Sequence, residues 1–97
     1  MESALTPRAG GCLVSGDLLF STARRLLDES APVMSGESLV FDLSGVRHSD
    51  SAGLALLLEW QHLAEVAGGR ISYINIPDAL LRIARLSNVE GLLVGDL

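Results

Sequence analysis

The chain contains no lysine. Its seven basic residues are all arginine, set against twelve acidic ones, for a net charge of −5 over 97 residues. No P-loop lysine therefore exists, and no G-x-G-x-x-G run occurs, so a nucleotide-phosphate cradle is not signalled. Without a basic block the chain is a poor fit for nucleic acid or for an anionic membrane surface. It suits a protein partner, including a basic one. Cysteine is also scarce. The single Cys12 excludes an internal disulfide and fits a reducing compartment. Long apolar runs are missing: the longest, Leu54 to Leu58, falls far short of the ~20 residues that span a bilayer. The start, Met1-Glu2-Ser3-Ala4, lacks the basic and apolar regions of an ordinary signal peptide. The expectation is a soluble cytoplasmic protein that meets a membrane only through a partner.

What is present is apolar residue in quantity. Hydrophobic residues make up 48% of the chain, enough for one compact core and against disorder. No repeat, low-complexity tract or linker divides residues 1–97, so a single domain is expected. Ala9-Gly10-Gly11 reads as a hairpin loop, and Cys12-Leu13-Val14 as a short strand ending at Ser15-Gly16-Asp17. Ser21 or Thr22 is suited to cap a helix running to about Met34, with Ala23, Leu26, Leu27 and Ala31 on one face and Ser35-Gly36 as its stop. Leu39-Val40-Phe41 is too apolar for a wet face and suits a central parallel strand. Ser44 to Asp50 reads as a polar loop. A helix follows from near Ser51 to Gly68-Gly69, then a strand over Ile71 to Ile76. Pro77-Asp78 opens a third helix closed by Asn88, and Leu92-Leu93-Val94 reads as a last short strand. Strands alternating with helices predict an α/β fold with parallel pairing, made mixed by the N-terminal hairpin.

Spacing sorts the residues of the second helix. Gly53, Leu56, Leu57, Trp60, Leu63, Ala64 and Ala67 recur at i, i+3, i+4, i+7 and form a core face. Ser51, Leu54, Leu58, Gln61, His62 and Glu65 fall opposite. Two leucines among polar residues suggest either a partner surface or cover by a neighbouring helix. Catalytic patterns fail. His48, Asp50 and Ser51 are nearly contiguous, so their side chains diverge and form no triad, and no G-x-S-x-G elbow occurs. His48 and Asp50 lack further metal ligands at suitable spacing, with His62 on the next helix. Cys12 in a strand reads as a small buried hydrophobe. Arg82 and Arg85 read as a solvated edge of the third helix. No catalytic residue, metal or cofactor is expected.

One segment is specific. Phe41-Asp42-Leu43-Ser44-Gly45-Val46-Arg47-His48-Ser49-Asp50-Ser51-Ala52-Gly53-Leu54 resembles the signature of the STAS family, a strand with D-L-S-x-V followed by D-S-x-G-L opening a helix. Gly16-Asp17, the Gly68-Gly69 stop and Leu86-Ser87-Asn88-Val89 extend the resemblance over nearly the whole chain. It implies a STAS fold with a mixed four- to five-stranded sheet and about three main helices. It also implies a non-catalytic docking module. Ser51 would sit at a helix N-terminus past a parallel strand, the usual binding edge of such sheets. Ser49, Asp50, Ser51, Ala52, Leu54 and Leu58 are the expected partner-binding residues, with Asp50 or Ser51 capping the helix.

Two roles stand within the family. Anti-sigma factor antagonists are phosphorylated at the serine that matches Ser51, where a phosphate would add about −1.5 to −2 charge beside Asp50. Antagonists commonly read G-E-L-D and D-S-S-G or D-S-T-G; here the residues are Gly16-Asp17-Leu18-Leu19 and Asp50-Ser51-Ala52-Gly53. The run from Asp50 to Trp60, with Pro77 and Ile83 to Val89, is more similar to the MlaB-type STAS subunit of the Mla phospholipid-transport ABC system. That resemblance implies a cytoplasmic subunit, peripheral to the inner membrane, that docks on the ATPase of a complex containing a permease and supports outer-membrane lipid asymmetry.

Overall fold

The computed structural model describes residues 3–94. Its elements run β1 (Ala4–Arg8), β2 (Gly11–Leu18), α1 (Phe20–Glu29), a 3-10 turn (Ala31–Val33), β3 (Ser38–Ser49), α2 (Ser51–Val66), β4 (Arg70–Ile74), α3 (Asp78–Leu86) and α4 (Glu90–Val94). The four strands form one mixed sheet in the order β1-β2-β3-β4. β1 pairs antiparallel with β2, whereas β2, β3 and β4 run parallel. The α/β expectation of a mixed sheet with three main helices holds.

Alternation along the strands decides which face is covered. Cys12, Val14, Leu18, Leu39, Phe41, Leu43, Ile71 and Tyr73 are buried and meet Leu26, Leu56, Leu57, Trp60, Leu80 and Leu93 of the helices. The other face is open. Val40 and Ile74 are each 45% exposed there, so β3 is central but does have a wet face, contrary to its apolar start. Three aromatic rings anchor the core. Phe41 meets Trp60 edge-on at 5.2 Å and Tyr73 at 6.2 Å. The Tyr73 hydroxyl donates to the Leu57 carbonyl at 2.6 Å, and desolvation pushes its pKa well up. Burial likewise raises the Cys12 thiol, which leaves it a packing residue.

Several local readings are corrected. β3 continues through Ser49 where a loop from Ser44 was expected, because β2 pairs with it as far as Leu18↔Ser49. Gly45 permits this: a Cβ there would lie 2.9 Å from the Ser15 Cβ. α1 begins at Phe20 with Leu19 as its cap residue, rather than after Ser21 or Thr22. The Thr22 hydroxyl instead accepts from the Leu19 N–H and donates to the Asp17 carbonyl at 2.7 Å. α1 stops at Glu29, not Met34. Pro32 has no N–H to continue the ladder and its ring crowds the carbonyl four residues back. Finally, the apolar run at residues 92–94 is helical. Asn88, at φ 60°, closes α3 with Val89 N–H on the Ala84 carbonyl and its own N–H on that of Arg85. Val89 and Leu93 then pack on the core at i, i+4 spacing, which a strand would not allow.

The open face carries one polar cluster. β4 ends at Ile74 rather than Ile76, since Asn75 turns to φ 56°. Its side-chain amide donates to Asp42 at 3.1 Å, the Ser44 N–H donates at 2.9 Å, and Arg8 approaches at 3.5 Å. The Asn75 amide first, then Ser44, with Arg8 a lesser cause, hold the Asp42 carboxyl below its usual range. A carboxylate with a lowered folded pKa stabilises above its unfolded value and loses that contribution as pH falls through the folded value. Unfolding midpoints should therefore drop between about pH 5 and pH 2, and Asp42→Asn should flatten that part of the profile. A variant that keeps the wild-type acid slope would show that other carboxyls dominate it.

Candidate functional site

The C-terminal ends of β2 and β3 lie side by side, and each feeds a helix. α1 follows β2 through Leu19, and α2 follows β3 through Asp50. Asp50 joins the two starts. One carboxylate oxygen accepts from Ala52 and Gly53 N–H at 2.8 and 3.3 Å, capping α2. The other accepts from Phe20 N–H, in the first turn of α1, at 3.2 Å. The Asp50 N–H in turn donates to the Leu18 carbonyl at 3.2 Å. Asp50 is thus the helix cap and a positioning residue. Ser51 is exposed beside it, and its hydroxyl has no hydrogen-bond partner among the described residues.

Gly53 explains the glycine of the motif. A Cβ there would stand 2.6 Å from the Leu18 carbonyl oxygen, which is backbone and already held by Asp50. Its absence lets α2 seat against the end of β2. Gly53→Ala would gain roughly 1 kcal/mol of helix propensity. Overpacking against rigid backbone costs typically about 1–3 kcal/mol, so the net change should be destabilising. A denaturant midpoint at or above wild type would contradict this seating.

Two helical stripes line an open groove of ≈ 340 Å³ between α1 and α2. Phe20, Ala23, Arg24 and Leu27 come from α1, and Ala52, Ala55, Leu56 and Glu59 from α2, each at i, i+3, i+4, i+7 spacing. Phe20 is 85% exposed at the groove's upper end. Of the groove lining, sequence reasoning named only Ala52 as a site residue and missed the rest, Phe20 and Glu59 among them. Starting α1 two residues before the helix that a Ser21 cap implies would have placed Phe20 on the stripe.

The expected site residues separate. Ser49 ends β3, Asp50 is the cap, Ser51 is exposed and Ala52 lines the groove. Leu54 does not belong to this surface: it is 5% exposed and part of the core. Leu58 is half-buried and packs on the same core. Both face the flank of α2 covered by α3 and α4, where Gln61 donates to the Leu92 carbonyl at 2.8 Å. Spacing alone put them opposite the core face because it allows for one neighbour of α2, and the fold supplies neighbours on two sides.

Among the described residues no catalytic grouping forms at this edge. His48 is exposed on β3, and the Asp50 carboxylate is engaged with three backbone N–H groups, leaving no base on Ser51 among the described residues. Among those residues no cluster of three or more potential ligands is arranged for a metal, and no helix is long and apolar enough to cross a membrane.

Comparison with known proteins fits this geometry. The fold is similar to that of the anti-sigma factor antagonist SpoIIAA in its unphosphorylated form, with TM-score 0.72 and 13% identity over 96% of this chain and 86% of that one. It is also similar to a structure described as Mglu, with TM-score 0.59 and 20% identity, over 75% of this chain but only 19% of that larger one. At these identities the likeness is one of fold. No curated protein matches the sequence. The family model for the MlaB STAS domain matches residues 3–95, nearly the full length. STAS domains generally serve regulation and protein–protein interaction, and this chain belongs to that family, in its MlaB-type branch.

Proposed function

We propose that the chain is the non-catalytic STAS subunit of an Mla-type ABC phospholipid transporter, docked on its cytoplasmic ATPase and supporting assembly and activity of the complex. The observation that carries this reading is the exposed edge formed by Ser51, Phe20 and the groove between α1 and α2, combined with the MlaB-type family match. An aromatic that is almost fully exposed beside an apolar groove is a feature of protein docking surfaces. Ser49 and Ser51 flank the edge, Ala52 lines the groove, and Asp50 fixes the two helix starts that form it. The domain itself neither binds nucleotide nor moves lipid, and its place at the inner membrane comes through the complex.

A second reading is favoured by one observation. Ser51 is exposed at the start of α2, its hydroxyl without a hydrogen-bond partner among the described residues, in a fold like that of SpoIIAA, so it is accessible to a kinase of an anti-sigma system. Native co-purification from the source cell decides between them. Recovery of an ABC ATPase with its permease supports the transporter subunit. Recovery of a serine kinase with a sigma factor, and phosphate on Ser51, supports the antagonist instead.

A further inference from the structure

The groove carries more than its location. Its floor is small, with Ala23, Ala52 and Ala55 between the larger Phe20, Leu27 and Leu56, so it receives bulky side chains from outside. Its walls are two helices, whose backbone groups are bonded within the helices beyond the first turn, and at their joined starts the N–H groups of Phe20, Ala52 and Gly53 are taken by Asp50. An added strand would find no open backbone edge here, and an anion would meet the Asp50 carboxylate already seated among those three N–H groups. Side chains presented at helical spacing are what this surface fits.

Charge narrows the occupant. Arg24, on one rim, is paired with Asp28 at 3.3 Å. Glu59, on the other rim, has no ionic or hydrogen-bond partner among the described residues. The chain as a whole carries −5. Resting on the docking reading above, we propose that the ATPase seats an amphipathic helix in this groove. That helix places bulky aliphatic side chains over Ala23, Ala52 and Ala55 and sets a lysine or arginine against Glu59. The aliphatic anchors supply affinity, and the cation sets register and favours one direction of the helix.

The test titrates the full chain against the purified Mla-type ATPase of the same genome, by calorimetry at low and high salt. Glu59→Gln should weaken binding several-fold and lose most of the wild-type salt dependence. Glu59→Lys should weaken it by about tenfold or more, because it sets like charges together. Phe20→Ala should weaken it strongly at every salt concentration. Glu59 and Phe20 are exposed, so circular dichroism should show all three variants folded. Three results would overturn the proposal. If Glu59 variants bind with wild-type affinity and salt dependence while Phe20→Ala fails, the cation chemistry is wrong and docking at this edge stands. If wild type does not bind the ATPase at all, the docking reading falls with it. If the chain self-associates in sedimentation and Phe20→Ala makes it monomeric, the groove belongs to a second copy.

Discussion

Replacing Trp60 by alanine should lower the unfolding free energy by about 3–5 kcal/mol, a large part of the ~5–15 kcal/mol that holds a typical domain. Trp60 is fully buried and is the largest side chain in the core. Its ring contacts Phe41 edge-on at 5.2 Å, and Phe41 in turn meets Tyr73. Removing the indole opens a cavity between α2 and the sheet that the backbone cannot close. The indole N–H has no acceptor among the described residues, and such an orphan donor costs about 1–3 kcal/mol in the native state. Trp60→Phe deletes that donor while keeping a ring against Phe41, so it should lose clearly less than alanine. Urea unfolding followed by circular dichroism reads both. An alanine loss below about 1 kcal/mol would contradict the packing described.

Ser51→Arg should abolish docking without unfolding the domain. Ser51 is exposed at the first position of α2, so arginine has room in the free protein. A cation there faces the positive end of the α2 dipole, a penalty of about 0.3–1 kcal/mol that the fold tolerates. At the interface it stands beside Phe20, the Asp50 cap and the mouth of the groove, and blocks close approach. A loss of about a hundredfold in affinity is expected where a bulky charge enters a packed contact. Ser51→Ala is the control. Because Asp50 supplies the cap, alanine should leave stability near wild type and binding largely intact. Leu58→Asp is not a clean probe of the same surface. Leu58 packs on the core, so an aspartate there should destabilise the domain.

Much of this was legible because local chemistry and global fold agree. Gly68 and Gly69 stop α2 with the Gly69 N–H on the Ala64 carbonyl at 2.8 Å, as the double glycine implied. Asp50 caps α2, and Trp60 lies in the core, as the helical period required. The failures have a common cause, which is tertiary context. Polar residues from Ser44 to Ser49 look like a loop until β2 is seen to supply a parallel partner. Leu54 looks stranded until α3 and α4 cover its flank. Phe20 falls outside the helix as long as Ser21 or Thr22 is taken for its cap, and joins it once Asp50 reaches across from the end of β3 to bond the Phe20 N–H. The groove needs two helices from separate segments, each amphipathic on its own stripe, and no single stretch of sequence announces it.

The most direct measurement is photo-cross-linking in the native complex from two positions on opposite sides of the domain. A photoreactive residue at Ala55, on the floor of the groove, should cross-link to the ABC ATPase. The same residue at Val40, on the open face of the sheet, should give no ATPase adduct. Cross-links from Val40 with none from Ala55 would place the interface on the sheet and contradict the account.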